Sequence, residues 1–336
     1  MPQSLVLNLI TQSVIPQKYL QGHAPQQLFF DLLDEVDPEL SHVLRQDERN
    51  RSYSLSALQV ETCAPAHKAT PLSAHPLSAH PLSTHPLSHS SQGKLRLFSP
   101  KHDAPLQFLH HQPILPGTRC WWRITFLDDE LFDHLIFLWN QLVGEPFQLG
   151  TGTVTITHVA AHVSSRSTAA KAATWLETDW AFSCSYRDLY EQASAYEQDI
   201  HIQFVTPTAF EERGCVTPMP TADAVFQPLR KRWNRYSDLV FAPSLVHNIV
   251  PTKFDIKTED IQSERAMGVR PRRLSGCTGQ VSFRILDNDP LTTKRINALA
   301  DFSRYCGIGY GTPVGMGVVR RVSGASAIAY QSQIQS

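Results

Sequence analysis

The hydrophobic and polar positions of the first half predict strands and helices in alternation. Apolar and polar residues alternate over Leu5–Ile10 and no basic segment precedes them, so we predict a first strand rather than a signal peptide. Apolar side chains recur at helical spacing in Gln26–Val36 and Asp129–Leu142, and a short helix begins at Asp37-Pro38. Strands are predicted at four further segments: Tyr53–Val60, Lys94–Phe98, Cys120–Phe126 and Thr153–Val163. This is the β-α-β-β-α-β order of a ferredoxin-like unit with additions.

The second half repeats this alternation. Its pattern predicts three strands and two helices, which in chain order are Ile200–Val205, Ala222–Tyr236, Gly279–Leu286, Thr292–Cys306 and Gly315–Val322. We therefore predict an α+β fold of two tandem ferredoxin-like (RRM-like) units with a C-terminal glycine-rich loop. The first unit would span residues 1–190 and the second residues 191–336, with the boundary near Tyr186–Gln198. A chain of 336 residues agrees with about two domains.

A five-residue repeat interrupts the first unit at Ala64–Gln92. It contains AHPLSAHPLSTHPLSHS, in which proline and histidine each recur at every fifth position. Proline at this density prevents a helix and cannot donate to a sheet ladder. Few large apolar groups are present to offset the entropy of ordering the segment. We predict a disordered surface insertion whose histidines bind a metal weakly at most, and an expanded repeat without chemistry is the simpler interpretation.

Composition excludes several classes of protein. With 42% apolar and 9% aromatic residues, the chain can fill a core, so global disorder is excluded. No stretch approaches the ~20 apolar residues of a membrane-spanning helix. No two of the six cysteines lie within 25 residues of each other, which argues against a zinc ribbon or a thioredoxin-like site. We expect free thiols in a cytoplasmic protein, without a metal site or any other cofactor.

Positive charge is concentrated in the second half. Residues Pro228–Arg321 contain 16 lysines and arginines against 8 acidic residues, whereas the rest of the chain contains 14 against 23. A uniformly basic coat for nucleic acid is excluded, because the whole chain carries 30 basic and 31 acidic residues. The asymmetry instead predicts a polyanion-facing surface on the second unit, and nucleic acid is favoured over a merely solvated face.

The segment CGIGYGTPVGMG, Cys306–Gly317, carries the sharpest chemical signal. A dinucleotide-binding fingerprint follows a strand and opens a helix, whereas this segment follows a predicted helix and leads into a strand. A P-loop is also excluded, because no Gly-Lys-Ser/Thr occurs. Glycine lets a backbone approach a phosphate closely, and consecutive bare N–H groups can bind anions. We predict RNA contacts from its glycines and three nearby arginines: Gly307, Gly309, Gly311, Gly315, Gly317, Arg304, Arg320 and Arg321. A helix stop followed by a bulged strand is the alternative.

Five segments in this order resemble the CRISPR-associated endoribonucleases of the Cas6 type, most of all cyanobacterial members. They are DPELSHVL (Asp37–Leu44), CWWRITFLDDELF (Cys120–Phe132), VTPTAF with VFQPLRKRWNRY (Val205–Tyr236), GCTGQVSFRI (Gly276–Ile285) and the C-terminal GIGYGTPVGMGVVR. The resemblance covers nearly the whole chain except Ala64–Gln92. It implies tandem ferredoxin-like domains and metal-independent cleavage of the repeats in precursor CRISPR RNA. The implied products carry a 2′,3′-cyclic phosphate and a 5′-hydroxyl, and the partners are repeat RNA and subunits of a CRISPR effector complex.

The resemblance also points to candidate catalytic residues. Family members commonly place a histidine near the first helix, where this chain offers His42 and His23. Where a Leu-His pair is frequent, this chain has Leu44-Arg45, so Arg45 could stabilise charge without transferring a proton. Histidine suits acid–base work near neutrality, whereas arginine is a poor base. We rank His42 first, His23 second, and leave open that no histidine acts.

Further RNA contacts are expected from cations and one tyrosine near these segments. They are Lys18, Tyr19, Arg230, Lys231 and Arg235. The spacing of Trp233 is that of a core position. Arg45 also motivates a second function, a catalytically impaired subunit that holds a guide RNA in an effector or transposition complex. An RNA-binding scaffold unrelated to CRISPR is the third hypothesis.

Overall fold

A computed structural model describes residues 1–46, 52–61, 106–161, 180–212, 214–262 and 273–322. The insertion predicted at residues 64–92 and the strand predicted at Lys94–Phe98 lie outside these ranges. The strands and helices within them are β1 (Gln3–Thr11), α1 (His23–Val36), α2 (Pro38–Gln46), β2 (Tyr53–Leu55), β3 (Gln59–Val60), β4 (Arg119–Phe126), α3 (Asp129–Gln141), β5 (Pro146–Leu149), β6 (Gly152–Ala161), β7 (Phe182–Ser183), α4 (Tyr186–Gln192), β8 (Asp199–Thr208), β9 (Phe210–Glu212), β10 (Cys215–Thr217), α5 (Ala222–Tyr236), β11 (Ile249–Gln262), β12 (Arg273–Ile285), α6 (Pro290–Cys306) and β13 (Val319–Val322).

The first unit is built on an antiparallel sheet in the order β2-β4-β1-β6-β5, to which β3 and β7 add short edges. Leu7 of β1 lies opposite Trp122 of β4 and Val159 of β6, and all three side chains are buried. Helices α1 and α3 cover this face with Phe29 and Trp139, whose rings pack edge to face. Alternating residues of a strand point to opposite faces, so this register builds a single apolar layer.

The second unit has a four-stranded antiparallel sheet in the order β11-β12-β8-β13. Phe204 of β8 and Phe283 of β12 are buried beneath α5 and α6, which contribute Trp233 and Phe302. The Trp233 and Phe302 rings meet edge to face at 5.5 Å, a favourable geometry for aromatic pairs. Both units thus have the strand order of a ferredoxin-like fold, and the predicted fold is confirmed.

The second unit differs from the sequence prediction in several strands: β9, β10 and β11 are not predicted, and β12 begins at Arg273 instead of Gly279. β11 is absent from the sequence prediction because this exposed edge strand carries Pro251 and many polar residues, without a clear alternation of apolar and polar positions. The predicted strand at Gly315–Val322 begins only at Val319, because Gly315 and Gly317 have left-handed φ angles of 90° and 70°. The residues before it form a 3-10 turn, Thr312–Val314.

The division of the chain at residue 190 remains a prediction. Tyr186 and Leu189 of α4, which precede that residue, pack into the core of the second unit. Among the described residues, no helix combines the length and the apolar composition that spanning a lipid bilayer requires.

Candidate nucleic-acid interface

The glycine-rich loop, residues 307–317, lies between the two units and turns much of its backbone inward. Six of its N–H groups donate to protein carbonyls: Gly307 to Ser303 at 2.9 Å, Ile308 to Gly317 at 2.9 Å, Tyr310 to Ala209 at 2.7 Å, Val314 to Gly311 at 3.0 Å, Met316 to Gly311 at 3.2 Å and Gly317 to Pro207 at 3.1 Å. The expectation of bare N–H groups is therefore wrong for these six residues. The loop is a folded element, held by its own backbone, by Pro207 near the end of β8 and by Ala209 just after it.

The glycines of this loop are required by close packing against both units. A β-carbon on Gly309 would overlap the carbonyl oxygen of Ala209, which follows β8. A β-carbon on Gly315 would lie 2.8 Å from the backbone nitrogen of Ala57, between β2 and β3. The φ angles of 80° and 90° at these two glycines also disfavour any other residue. The loop is thus wedged between the first and second units.

The start of α1 lies near the glycine-rich loop. The carbonyl of Leu20, just before α1, accepts a hydrogen bond from the N–H of Leu58. Leu58 follows Ala57, against which the loop packs. His23 is the first residue of α1 and is exposed, with its Nδ1 3.2 Å from Oε1 of Gln26. The Gln26 amide in turn donates to the hydroxyl of Tyr53 at 3.3 Å. These contacts bring one predicted histidine to the neighbourhood of the loop.

His42 lies elsewhere on the first unit. Arg45 of α2 donates to Asp34 at 2.8 Å and covers the ring of Phe30, with 4.2 Å between guanidinium and ring centroid. Helix α2 therefore packs along the C-terminal half of α1. His42 is exposed on α2, and its Nε2 lies 2.7 Å from the amide nitrogen of Gln46. The two predicted histidines thus lie toward opposite ends of α1, and the structure does not bring them together.

The basic stretch of α5 divides into exposed and buried residues. Lys231 and Arg235 are exposed, as a surface for RNA requires. Arg230 is only 9% exposed and donates to the carbonyl of Phe241 at 3.0 Å. The prediction that Arg230 lines an open groove is therefore wrong, because its guanidinium supports the protein's own backbone. Trp233 is fully buried, which confirms its predicted core position.

Lys18 and Tyr19 lie in a 3-10 turn, Gln17–Tyr19, just before α1. Lys18 is exposed, with its ammonium 4.7 Å from the ring centroid of Tyr19. The Tyr19 ring packs so tightly on Gly150 that no β-carbon fits there. Lys18 is therefore available to a ligand, whereas Tyr19 is partly committed to packing.

The three arginines predicted next to the loop line a cavity of about 670 Å³ between the units: Arg304, Arg320 and Arg321. Arg321 already forms ion pairs with Glu197 at 2.7 Å and Asp301 at 3.0 Å, so its charge is largely neutralised. Arg304 stacks on Phe182, with 3.7 Å from guanidinium to ring centroid, and burial lowers its pKa.

Two arginines that the sequence does not single out contact the end of α6, which leads into the loop. Arg123 of β4 donates to the carbonyl of Arg304, and Arg232 of α5 donates to the carbonyl of Cys306 at 2.6 Å. Arg123 stands between Trp122 and Ile124 in a buried strand. A single charged residue in this strongly apolar stretch marks Arg123 as unusual from the sequence alone, whereas nothing in the sequence separates Arg232 from its basic neighbours.

Two ferredoxin-like units with a glycine-rich loop wedged between them define a class of tandem ferredoxin-like proteins. The family profile described as CRISPR-associated endoribonuclease Cas6 matches residues 202–319. The profile described as CRISPR Cas6 N-terminal domain matches residues 1–84 and 77–191. The chain belongs to the Cas6 family of CRISPR-associated endoribonucleases. A comparison with curated protein sequences gives no match.

Solved structures of Cas6 proteins have the same fold. A Cas6 product complex is 18% identical, with a TM-score of 0.65 over 96% of this chain and 100% of that chain. A Cas6 substrate mimic complex is 17% identical, with a TM-score of 0.57 over 96% and 99%. Thermus thermophilus Cas6 is 18% identical, with a TM-score of 0.56 over 96% and 98%.

Proposed function

We propose that this protein is an endoribonuclease that binds the repeats of precursor CRISPR RNA and cleaves them without a metal ion, which yields mature guides. Family membership across both units carries the proposal. Solved Cas6 proteins include a product complex and a substrate mimic complex, which supports repeat RNA as the partner. Two of the family-like segments also meet, since the glycine-rich loop donates hydrogen bonds to the carbonyls of Pro207 and Ala209 in VTPTAF.

The proposed reaction uses the RNA's own 2′-hydroxyl as the nucleophile. This oxygen loses its proton to a base and attacks the adjacent phosphorus, while the 5′ oxygen leaves with a proton from an acid. The products are a 2′,3′-cyclic phosphate and a 5′-hydroxyl. Cations nearby stabilise the charge that develops on the phosphorane. DNA lacks the 2′-hydroxyl, so it can be bound but not cut by this route.

We assign the proton transfer to a histidine of the first unit, with His42 as the first candidate and His23 as the second. Histidine is the side chain best suited to serve as base or acid around neutral pH. Both side chains are exposed, where RNA can reach them. His23 has the further support of lying beside the glycine-rich loop. Arg45 contributes charge rather than proton transfer, because an arginine stays protonated.

We propose that RNA is held by exposed cations and by the outer side of the glycine-rich loop. Lys18, Lys231 and Arg235 are exposed and suit contacts to phosphates. Tyr310 is 42% exposed at the loop, and its ring offers a face on which a base can stack. The buried glycines act by shaping this loop, and Arg304 and Arg320 border the cavity next to it.

A second function, an RNA-binding subunit with impaired catalysis, is favoured by one observation. Arg45 occupies the place of the frequent Leu-His histidine and is paired with Asp34. Such a subunit would bind repeat RNA and leave it intact, within an effector or transposition complex.

A cleavage assay in excess EDTA tests this proposal. The purified protein is incubated with a labelled repeat RNA from the host, and a scrambled RNA of equal composition is the control. The proposal expects the repeat to be cut at one position and the scrambled RNA to remain whole. Cleavage that EDTA abolishes and Mg²⁺ restores would contradict metal independence. Tight binding without cleavage would establish the second function instead.

A further inference from the structure

The last turn of α6 ends in four backbone carbonyls that no later helical residue can bond. Here the cap residue Gly307 bonds the first of them, and side chains of other elements bond the remaining three. The acceptor and donor pairs are Ser303 with the Gly307 N–H at 2.9 Å, Arg304 with Arg123 Nη2, Tyr305 with Ser54 Oγ at 3.0 Å, and Cys306 with Arg232 Nη1 at 2.6 Å. Arg123 and Ser54 belong to the first unit, whereas Arg232 belongs to the second. The end of this helix is therefore clamped from both units at once.

Arg123 is an unusual residue to bury. Its side chain is 3% exposed, and no carboxylate contacts it in the described part of the chain. Its charge faces the ring of Phe182, 5.0 Å away, and the negative end of the α6 dipole. Burial lowers its pKa to about 9. A buried charge costs stability unless it is well partnered, so a cationic donor at this place has a specific task at the helix end.

Arg232 extends the clamp into the glycine-rich loop. While Nη1 holds the carbonyl of Cys306, Nη2 donates to Oγ1 of Thr312 at 3.4 Å. One planar guanidinium therefore ties the helix end to the 3-10 turn of the loop. Gly307 follows the clamped turn directly and has a left-handed φ of 66°. Any rotation of this turn would carry Gly309 and the exposed ring of Tyr310 with it.

We propose that Arg123 and Arg232 are positioning residues, which fix the last turn of α6 and thereby set the glycine-rich loop for contact with RNA. The inference rests on the proposed function in one respect, namely that the loop meets RNA. Neither guanidinium needs to touch the RNA, because both act through the helix end. Their loss should therefore affect RNA affinity more than the rate of the chemical step.

The test compares Arg123→Met, Arg232→Met and the corresponding lysine variants, with Arg284→Met as control. Arg284 is exposed and pairs only with Asp199 among the described contacts. Amide hydrogen exchange reports on the loop, and single-turnover cleavage separates affinity from rate. Losing the charge-assisted hydrogen bond to the helix end should speed loop exchange and weaken repeat-RNA affinity about tenfold each. The cleavage rate at saturating RNA should stay within about threefold of the wild-type rate. The lysine variants should recover part of the lost affinity, and Arg284→Met should match wild type.

Several outcomes would overturn the inference. Loop exchange and affinity that match wild type in both methionine variants would show that the clamp positions nothing. Faster exchange with unchanged affinity would confine its role to structure. If Arg123→Met does not fold, Arg232→Met and Ser54→Ala carry the test, because each removes one donor. If wild type binds no repeat RNA, the proposed function fails, while the exchange comparison still decides whether the clamp holds the loop.

Discussion

Replacing Gly309 with alanine should destabilise the fold more than an alanine at a comparable open turn. Gly309 has a φ of 80°, and an added β-carbon would overlap the carbonyl oxygen of Ala209. Gly117 has a φ of 78° but no heavy atom within 4 Å of the corresponding position. Gly117→Ala is therefore a matched control, which pays the conformational cost without the steric one.

The two costs can be estimated separately. An alanine held in the left-handed region costs about 1–2 kcal/mol at either site. Forcing a methyl group into a filled space costs about 1–3 kcal/mol more, at Gly309 alone. Each kcal/mol lowers the unfolding midpoint by about 2–4 °C in a chain of this order of size. Gly309→Ala should thus unfold roughly 2–12 °C below Gly117→Ala.

Thermal unfolding followed by circular dichroism measures this difference, with repeat-RNA affinity determined below both transitions. A midpoint equal to that of Gly117→Ala would refute the packing of the loop against Ala209. Unchanged stability together with much weaker RNA binding would instead indicate that Gly309 contacts an RNA phosphate directly.

Three further predictions follow from other parts of the molecule. His42→Ala should lower single-turnover cleavage by ~10²–10⁴-fold with little change in affinity, and full activity in both it and His23→Ala would exclude a first-unit histidine. A backbone N–H of α2 and His134 hold the pKa of Asp37 below its ordinary 3.8, so its stabilising contribution is full above that pH and lost as the pH falls through the folded-state pKa. Urea unfolding should show Asp37→Asn less stable than wild type at pH 7 and equal to it at strong acidity, whereas an equal gap at both would contradict the assignment. Deleting residues 64–92 should leave the unfolding midpoint and RNA affinity nearly unchanged, and a midpoint several degrees lower would count against a disordered insertion.

Much of the fold follows from local pattern. The predicted helix Ala222–Tyr236 has the bounds of α5, because its apolar spacing is helical and Thr221 caps it through the N–H of Ala224. β11 could not be predicted, because an exposed edge strand carries little apolar periodicity and Pro251 interrupts it. Local pattern thus finds elements with one buried face and misses those whose place depends on a neighbouring strand.

The candidate site was less predictable, because its chemistry depends on distant partners. The sequence locates the glycine-rich loop, but Ala209 decides that the N–H of Tyr310 points inward. Arg230 and Lys231 are adjacent and alike in sequence, yet Phe241 binds the first and leaves the second exposed. Direction and burial of this kind arise only when separate segments of the second unit pack together.

The most direct measurement of the central claim compares two repeat RNAs that differ by one atom. One carries the natural ribose at the cleavage site, and the other carries a single 2′-deoxy nucleotide there. Incubation in EDTA with end mapping should show the natural repeat cut to a 2′,3′-cyclic phosphate and a 5′-hydroxyl, while the deoxy repeat is bound with equal affinity and stays intact. Cleavage of the deoxy repeat at the same position would contradict attack by the 2′-hydroxyl, and with it the proposed reaction.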